Sequence, residues 1–394
     1  MVINDKKIAR AVLYLFMFSL NFEMVNLAGV FGTLSIGRIT GFIYIVTLIF
    51  VKYRFRIAGL VYLFYAIMAF IMVITASSVF CISNKYQKII DISLIQNIIL
   101  FFLLLHHERN DSGVLKKSFY AFALGSAVLC ITHLFGIGVS SSAQRLTIFG
   151  DNQNLLGLRL SMSIVFLIYS ALLSGKLVLW KRAALMLPVP FMLSLLLLTG
   201  SRVAFISLVL MLAVLLALYM FINPEIRLGS SLIYLGLALA FLVPALLSND
   251  LMNERLLAAK GGDLADRENI WRSFLPAVWE RLIIGYGYSG YEQVSESIFG
   301  KITSPHNVFI EVLLYGGVAA LALFILFNVQ ILFSGINTYF KRNEYIGLVF
   351  LIPYAGVLIS GQALDTKMMW YILAYNSISL LQENTAKKRQ YAVT

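Results

Sequence analysis

Residues 307–336 read NVFIEVLLYGGVAALALFILFNVQILFSGI, a long apolar run with a single acid, Glu311. A bilayer core takes roughly 20 helical residues to cross. Inside it every backbone group has to be hydrogen-bonded within the protein. The run is therefore read as a membrane-spanning helix. Outward from it the same signature recurs near 11–22, 36–51, 57–80, 89–105, 118–138, 154–174, 183–200, 203–222, 229–247, 345–361 and 367–382, about twelve spans in all. Composition agrees: the 394 residues are 60% hydrophobic and only 13% charged, with a mean hydropathy of +0.85. A soluble core of this size needs far less apolar sequence. The expected fold is all-α, a polytopic integral membrane protein in which residues 1–394 form a single membrane domain. No small-residue cleavage site follows the first apolar run, so that run is expected to stay.

The net charge of +12 is dispersed between the spans and does not form a nucleic-acid-binding patch. It reads as topology. With both ends inside, twelve spans place more than half of the 31 basic residues in short cytoplasmic segments, among them Lys6, Lys7 and Arg10, then Arg109, Lys116 and Lys117, then Lys341 and Arg342. That follows the positive-inside rule. The basic residues left for the outer side are mostly arginine, where the rule disfavours them. Arginine's planar fork grips phosphate bidentately, so the excess points to an anionic ligand on that face. Cys81 and Cys130 are read as two buried thiols. No CxxC or HExxH pattern occurs, so neither a metal nor another cofactor is expected.

The unusual residues gather in the outer segments. Segment 139–153 is rich in Ser, Gly and Asn and carries Arg145. Thr199-Gly200-Ser201-Arg202 is a tight turn. The one large outer loop, 248–306, ends in Ser304-Pro305-His306-Asn307. Within it, residues 264–284 look partly helical, with Asp266 as an N-cap and Pro276 expected to bend or restart the helix. Arg267 and Trp271, and likewise Glu268 and Arg272, stand four apart on shared faces. The alternation Gly285-Tyr286-Gly287-Tyr288-Ser289-Gly290-Tyr291 reads either as a sugar-stacking surface or as an interfacial aromatic belt.

These residues meet the demands of one chemistry. Breaking a sugar–diphosphate bond leaves extra negative charge, which needs a metal held by carboxylates or fixed cations. Asp263 and Asp266 make a poor metal pair, so the cations fall to Arg145, Arg202, Arg267 and Arg272. The acceptor hydroxyl needs a base, and His306 titrates near neutrality, with Asn307 or Glu311 to orient it. Plainer readings stand beside this one. His306 is also placed to cap the helix that follows, Arg202 to snorkel, and Arg145 and Arg267 to pair with loop acids. His106 and His107 read as solvated loop residues, and His133 as a satisfied core histidine.

The ordered motifs resemble the O-antigen ligase and polymerase superfamily of bacterial surface polysaccharide assembly. Thr199-Gly200-Ser201-Arg202-Val203-Ala204 is similar to its arginine turn. Arg267 to Trp271, Pro276 and Gly285-Tyr286-Gly287 resemble its outer-loop pattern. Pro305-His306-Asn307 with Glu311 and Gly316-Gly317 resembles its His-Asn signature. The resemblance implies metal-independent glycosyl transfer at the periplasmic face of the bacterial inner membrane, with both termini cytoplasmic. The donor would be a glycan on undecaprenyl diphosphate and the acceptor a second glycan, in contact with membrane lipid and with a chain-length regulator as a further partner. His306 would be the base and Arg202 and Arg267 the diphosphate ligands, with Arg145 carried by position. Residues Gly150 to Gly157 favour a polymerase, which extends one lipid-linked repeat with another, over a ligase, which passes the glycan to lipid A-core. The reading from another class is a transporter of a lipid-linked or anionic substrate, since twelve spans with both ends inside is also a transporter arrangement. Against it, no internal repeat is evident. Intramembrane charges are few, Asp91 being the clearest, so no relay crosses the bilayer.

Overall fold

A computed structural model describes residues 5–25, 35–51, 53, 59–81, 88–142, 144–173, 177–223, 249–260 and 267–381. The expected span at 229–247 and the acids Asp263 and Asp266 lie outside these. The chain divides into two compact units, one of residues 1–54 and 110–262 and the other of residues 55–109 and 263–394.

The first unit holds α1 (Asp5–Ser19), α2 (Ile36–Phe50), α5 (Val114–Leu134), α6 (Gln153–Ile168), α7 (Leu179–Met186), α8 (Val189–Leu198), α9 (Arg202–Ile222) and α10 (Asp250–Lys260). The second holds α3 (Val61–Phe80), α4 (Ile92–Asn110), α11 (Arg267–Glu280), α12 (Gly287–Phe299), α13 (Val308–Arg342), α14 (Ile346–Ser360) and α15 (Lys367–Asn376). Among the described residues six helical stretches are long and apolar enough to cross a membrane: α3, α5, α6 with its π-helical extension to Leu173, α7 with α8, α9 and α13. Two shorter apolar helices, α2 and α14, add to them. The all-α membrane character is thus borne out. The exception is a hairpin of β1 (Val139–Ser142) and β2 (Arg145–Ile148), with Ser142 opposite Arg145. Segment 139–153 is therefore more than a loop. Across the ladder Ser140 Oγ and Thr147 Oγ1 share a hydrogen bond of 2.6 Å.

In the first unit, α6 is buried on nearly all sides, the mark of a central helix. Its Gly157 lets α9 come close, since a Cβ there would stand 2.7 Å from Ala204 Cβ. Small residues at such crossings are how membrane helices gain contact. Arg10 forks onto both oxygens of Asp111 at 2.8 Å, tying the start of α1 to the α4–α5 turn.

In the second unit, α3 packs along α13 with Phe70 against Phe324, and Phe101, Phe327 and Trp370 form an aromatic knot. The apolar run of residues 307–336 is one helix in name only. Gly316 and Gly317 leave helical geometry, Gly317 at φ 62 and ψ −159. The broken backbone is met from the loop side: Tyr286 N donates to Leu314 O at 2.7 Å and Val318 N to Leu282 O at 2.8 Å. Non-helical backbone at membrane depth survives only when protein satisfies it, and here residues 282–286 do so. The break separates a short segment bearing Asn307 and Glu311 from the long membrane stretch.

Three local expectations change. Pro276 sits inside α11 without ending it. The bond it forgoes would go to the Arg272 carbonyl, and both residues are exposed, so water can replace it. His106 and His107 belong to α4, not to a loop, and His107 is fully buried. The tyrosines of 285–291 form neither a belt nor an open surface. Tyr286 and Tyr291 are buried, and Tyr291 packs against Phe274 and Tyr315 and donates to Thr303 O at 2.8 Å.

Candidate functional site

Each unit carries one part of the expected chemistry. In the first, the turn 199–202 between α8 and α9 gathers arginines. Ser201 caps α9, accepting from Ala204 N at 3.3 Å. Asn154, at the start of α6, accepts from Ser201 Oγ at 3.0 Å and from Arg145 Nη2 at 2.9 Å. Arg145 reaches over from β2 and also donates Nε to Thr199 O at 2.8 Å. Arg202 donates Nη1 to the Arg255 carbonyl at 3.3 Å, and so is held in the protein. Gly200, at φ 59, lies where a Cβ would stand 3.2 Å from Arg255 Cδ and 3.3 Å from Arg145 Cγ. Arg145, Arg202 and Arg255 therefore surround one helix N-terminus, an arrangement that favours anions twice, through fixed cations and through the helix dipole.

Arg255 had not been singled out. It is one charge among several in a loop, and only the docking of α10 on α8 and α9 reveals its place. Arg159 is a further arginine of this unit. It is buried within α6, paired with Asp151, and donates Nη1 to Leu20 O at 2.9 Å. It is a structural tie between α6 and α1. Asp151 lies just before α6 and Arg159 inside it, so no helical spacing announced the pair.

In the second unit, the turn 304–307 leads into α13. His306 has φ 49, the left-handed region that non-glycine residues seldom enter. The turn is held from both sides: Trp271 Nε1 donates to Pro305 O at 2.8 Å, and His306 N donates to Ser304 Oγ at 3.1 Å. Asn307, not His306, caps the helix, accepting from Phe309 N at 3.0 Å and Ile310 N at 3.2 Å. Among the described residues the imidazole has no hydrogen-bond partner, and it does not receive one from Asn307 or Glu311. Burial lowers its pKa below the ordinary histidine value, and the nearby Arg267 guanidinium lowers it further. Near neutrality the ring is thus uncharged and able to take a proton. Arg272 lies exposed on α11 and pairs with Glu268.

Behind this turn lies an acidic pocket. Tyr315 donates to Glu311 Oε1 at 2.9 Å, while Glu311 Oε2 is buried without a partner among the described residues. Asp91 and Asp365 face each other, and the Asp365 carboxyl is pushed up to about 7, first by burial and then by the Asp91 charge. Their 274-residue separation gave no sequence signal. Among the described residues no group of three or more His, Cys, Asp or Glu is placed to hold a metal ion.

Residues 187–325 match the family model described as O-antigen ligase. The stretch runs from the residue after α7 into α13. It contains Arg202, Arg255, Arg267, Trp271, Arg272, His306, Asn307 and Glu311 but not Arg145. No curated protein matches the chain. The match bears out the resemblance to the O-antigen ligase and polymerase superfamily. It supports glycosyl transfer of that general type on lipid-linked glycans by a membrane-embedded protein.

Proposed function

We propose that this protein is an O-antigen polymerase, joining lipid-linked glycan repeats at the periplasmic face of the inner membrane. The observation that carries the reading is His306: an uncharged imidazole in a strained, doubly anchored turn, within the stretch matched to the ligase family. Twelve spans, cytoplasmic termini and a periplasmic 248–306 loop within a single membrane domain are the topology this reading requires.

The acceptor hydroxyl gives its proton to the His306 imidazole as its oxygen bonds to the anomeric carbon of the donor. The bond from that carbon to the undecaprenyl diphosphate oxygen breaks, and its electron pair leaves with the diphosphate. Direct displacement inverts the anomeric carbon. Arg202, Arg267 and Arg145 stabilise the departing charge, Arg255 standing with Arg145 and Arg202 at the 199–202 turn, so no metal is called on. Arg272 joins them only by leaving Glu268. Trp271 and Asn307 act on the turn that presents the base, and Glu311 supports the same helix. A chain-length regulator is a separate partner in this scheme. A second acceptor, lipid A-core, is favoured by the ligase description of the matched family.

The test is complementation of a deletion strain with wild type, His306→Ala and Arg202→Ala at matched membrane levels, with lipopolysaccharide resolved by size. Core plus a single repeat in the deletion, unrescued by either variant, is the expected result. Bare core with long lipid-linked glycan makes the protein a ligase. Full rescue by His306→Ala removes the base and returns the transporter reading.

A further inference from the structure

A cleft of about 520 Å3 opens between α11, α12 and the end of α3, apart from the His306 turn and with no part in the scheme above. Part of its lining is apolar, with Pro276, Ala277 and Val294. Its rim is polar, with Glu280, Arg281, Gln293 and Ser297. Arg281 is fixed by stacking, its guanidinium 5.0 Å from the Tyr286 ring centroid, and by donating Nη1 to Cys81 Sγ at 2.6 Å. Among the described residues no carboxylate forms an ion pair with it, although Glu280 adjoins it and engages the Tyr286 hydroxyl. The lining thus offers a carboxylate acceptor, a guanidinium donor, an amide able to do both and a hydroxyl, all exposed, beside the apolar Pro276, Ala277 and Val294. A pyranose has the complementary make-up, one face of C–H groups and a rim of hydroxyls. The volume falls in the range of sites that enclose small ligands with a few placed polar groups.

The cleft also stands at a telling distance. The cleft runs along α11 from Ser273, two residues past the Trp271 that anchors the His306 turn, to Glu280, which is nine residues past Trp271 and roughly 14 Å along the axis. A sugar at the Glu280 and Arg281 end is therefore not the reacting sugar but one farther along the same chain. We infer that this cleft is a remote glycan subsite, holding a pyranose unit of the growing polysaccharide away from the reacting end. The inference rests on the proposed polymerase reading. It supplies what that reading lacks, a place where binding energy from distant sugars aligns the reacting ones.

The test uses the full-length protein in phosphatidylcholine nanodiscs. The probe is the soluble oligosaccharide released by mild acid from the host's lipid-linked glycan, read by saturation-transfer NMR. Wild type and His306→Ala are expected to bind alike, because the cleft is independent of the base. Ser297→Trp, which fills the cleft from an exposed position, and Gln293→Ala should each weaken binding about tenfold. In cells these two variants should shorten the polysaccharide while preserving the first linkage. Unchanged binding in both well-folded variants overturns the subsite, as does displacement of the probe by phosphatidylglycerol, which would make the cleft a lipid headgroup site. Cleft-dependent binding together with an active His306→Ala protein leaves the subsite standing and sinks the polymerase mechanism instead.

Discussion

The arginine turn at 199–202 and the histidine turn at 304–307 are both short bends leading into an apolar helix, yet they are built by opposite means. At the first, the left-handed position is taken by Gly200 at φ 59, which tolerates it at no steric cost. The functional groups are long side chains that arrive from β2, α9 and α10. At the second, the left-handed position is His306 itself at φ 49, at a cost on the order of 1–3 kcal/mol. A turn that only gathers charge can be made with glycine, because the charge comes from elsewhere. A turn that aims one imidazole cannot, because in the proposed mechanism the strained residue is itself the base. Trp271 and Ser304 hold it in place.

The largest effect should come from the residue that bears the strain. His306→Ala is expected to lower glycosyl transfer by about 10²–10⁴-fold, the usual weight of a general base, measured with purified protein and lipid-linked repeat. His306→Gly should be as inactive yet melt at a higher temperature, since it relieves the backbone. A lower melting temperature for the glycine variant would break the comparison at its root.

Next stands Arg202→Lys, which keeps the charge and loses the fork. A drop in turnover of about 10–100-fold is expected, the worth of a charge-assisted hydrogen bond. Wild-type turnover would reduce Arg202 to an α9–α10 tie.

Trp271→Phe removes the bond to Pro305 O and keeps the ring. Turnover should fall a few-fold, in line with about 0.5–1.5 kcal/mol for a neutral hydrogen bond, while KM stays put. A change confined to KM would place Trp271 against substrate instead of behind the turn.

Two pH profiles sharpen the contrast. Because burial and Arg267 lower the His306 pKa, activity should hold at neutrality and fail only as pH drops below 6.5. Arg267→Gln should move that midpoint upward. The acidic pocket predicts a smaller, opposite trend in stability. Asp365 titrates near 7 in the fold against 3.8 ordinarily, so the folded state holds its proton more tightly than the unfolded one. Stability is then greatest below about pH 4 and declines as pH rises towards 7. Asp365→Asn should flatten the melting temperature across that window, and an unchanged slope would remove the carboxyl pair as its cause.

Much of the fold was legible because lipid imposes a simple rule. An apolar run long enough to cross has to be helical, and α3, α5, α6, α9 and α13 follow from that alone. His306 was legible as a rare titratable side chain at the mouth of such a run, beside Pro305 and Asn307. The break at Gly316-Gly317 was visible as letters but not as a break. Its partners, residues 282–286, lie some thirty positions earlier and carry no pattern that announces them. The tyrosines of 286–291 misled because alternation with glycine suits an exposed surface as well as a crowded interior.

What the sequence determined by itself was the membrane-helical class, the motifs that match the ligase family, and His306, Arg202 and Arg267 as site candidates. Each rests on local chemistry: hydropathy over a span, or a side chain's pKa and shape. Only the tertiary structure decided that Arg145 and Arg255 meet at the 199–202 turn and that Arg159 is tied to Asp151. It also decided that Asn307 caps its helix so that His306 need not, and that Asp365 faces Asp91. Those are pairings between groups far apart in the chain, fixed by packing and hydrogen-bond satisfaction, and no local pattern encodes which distant groups will come together.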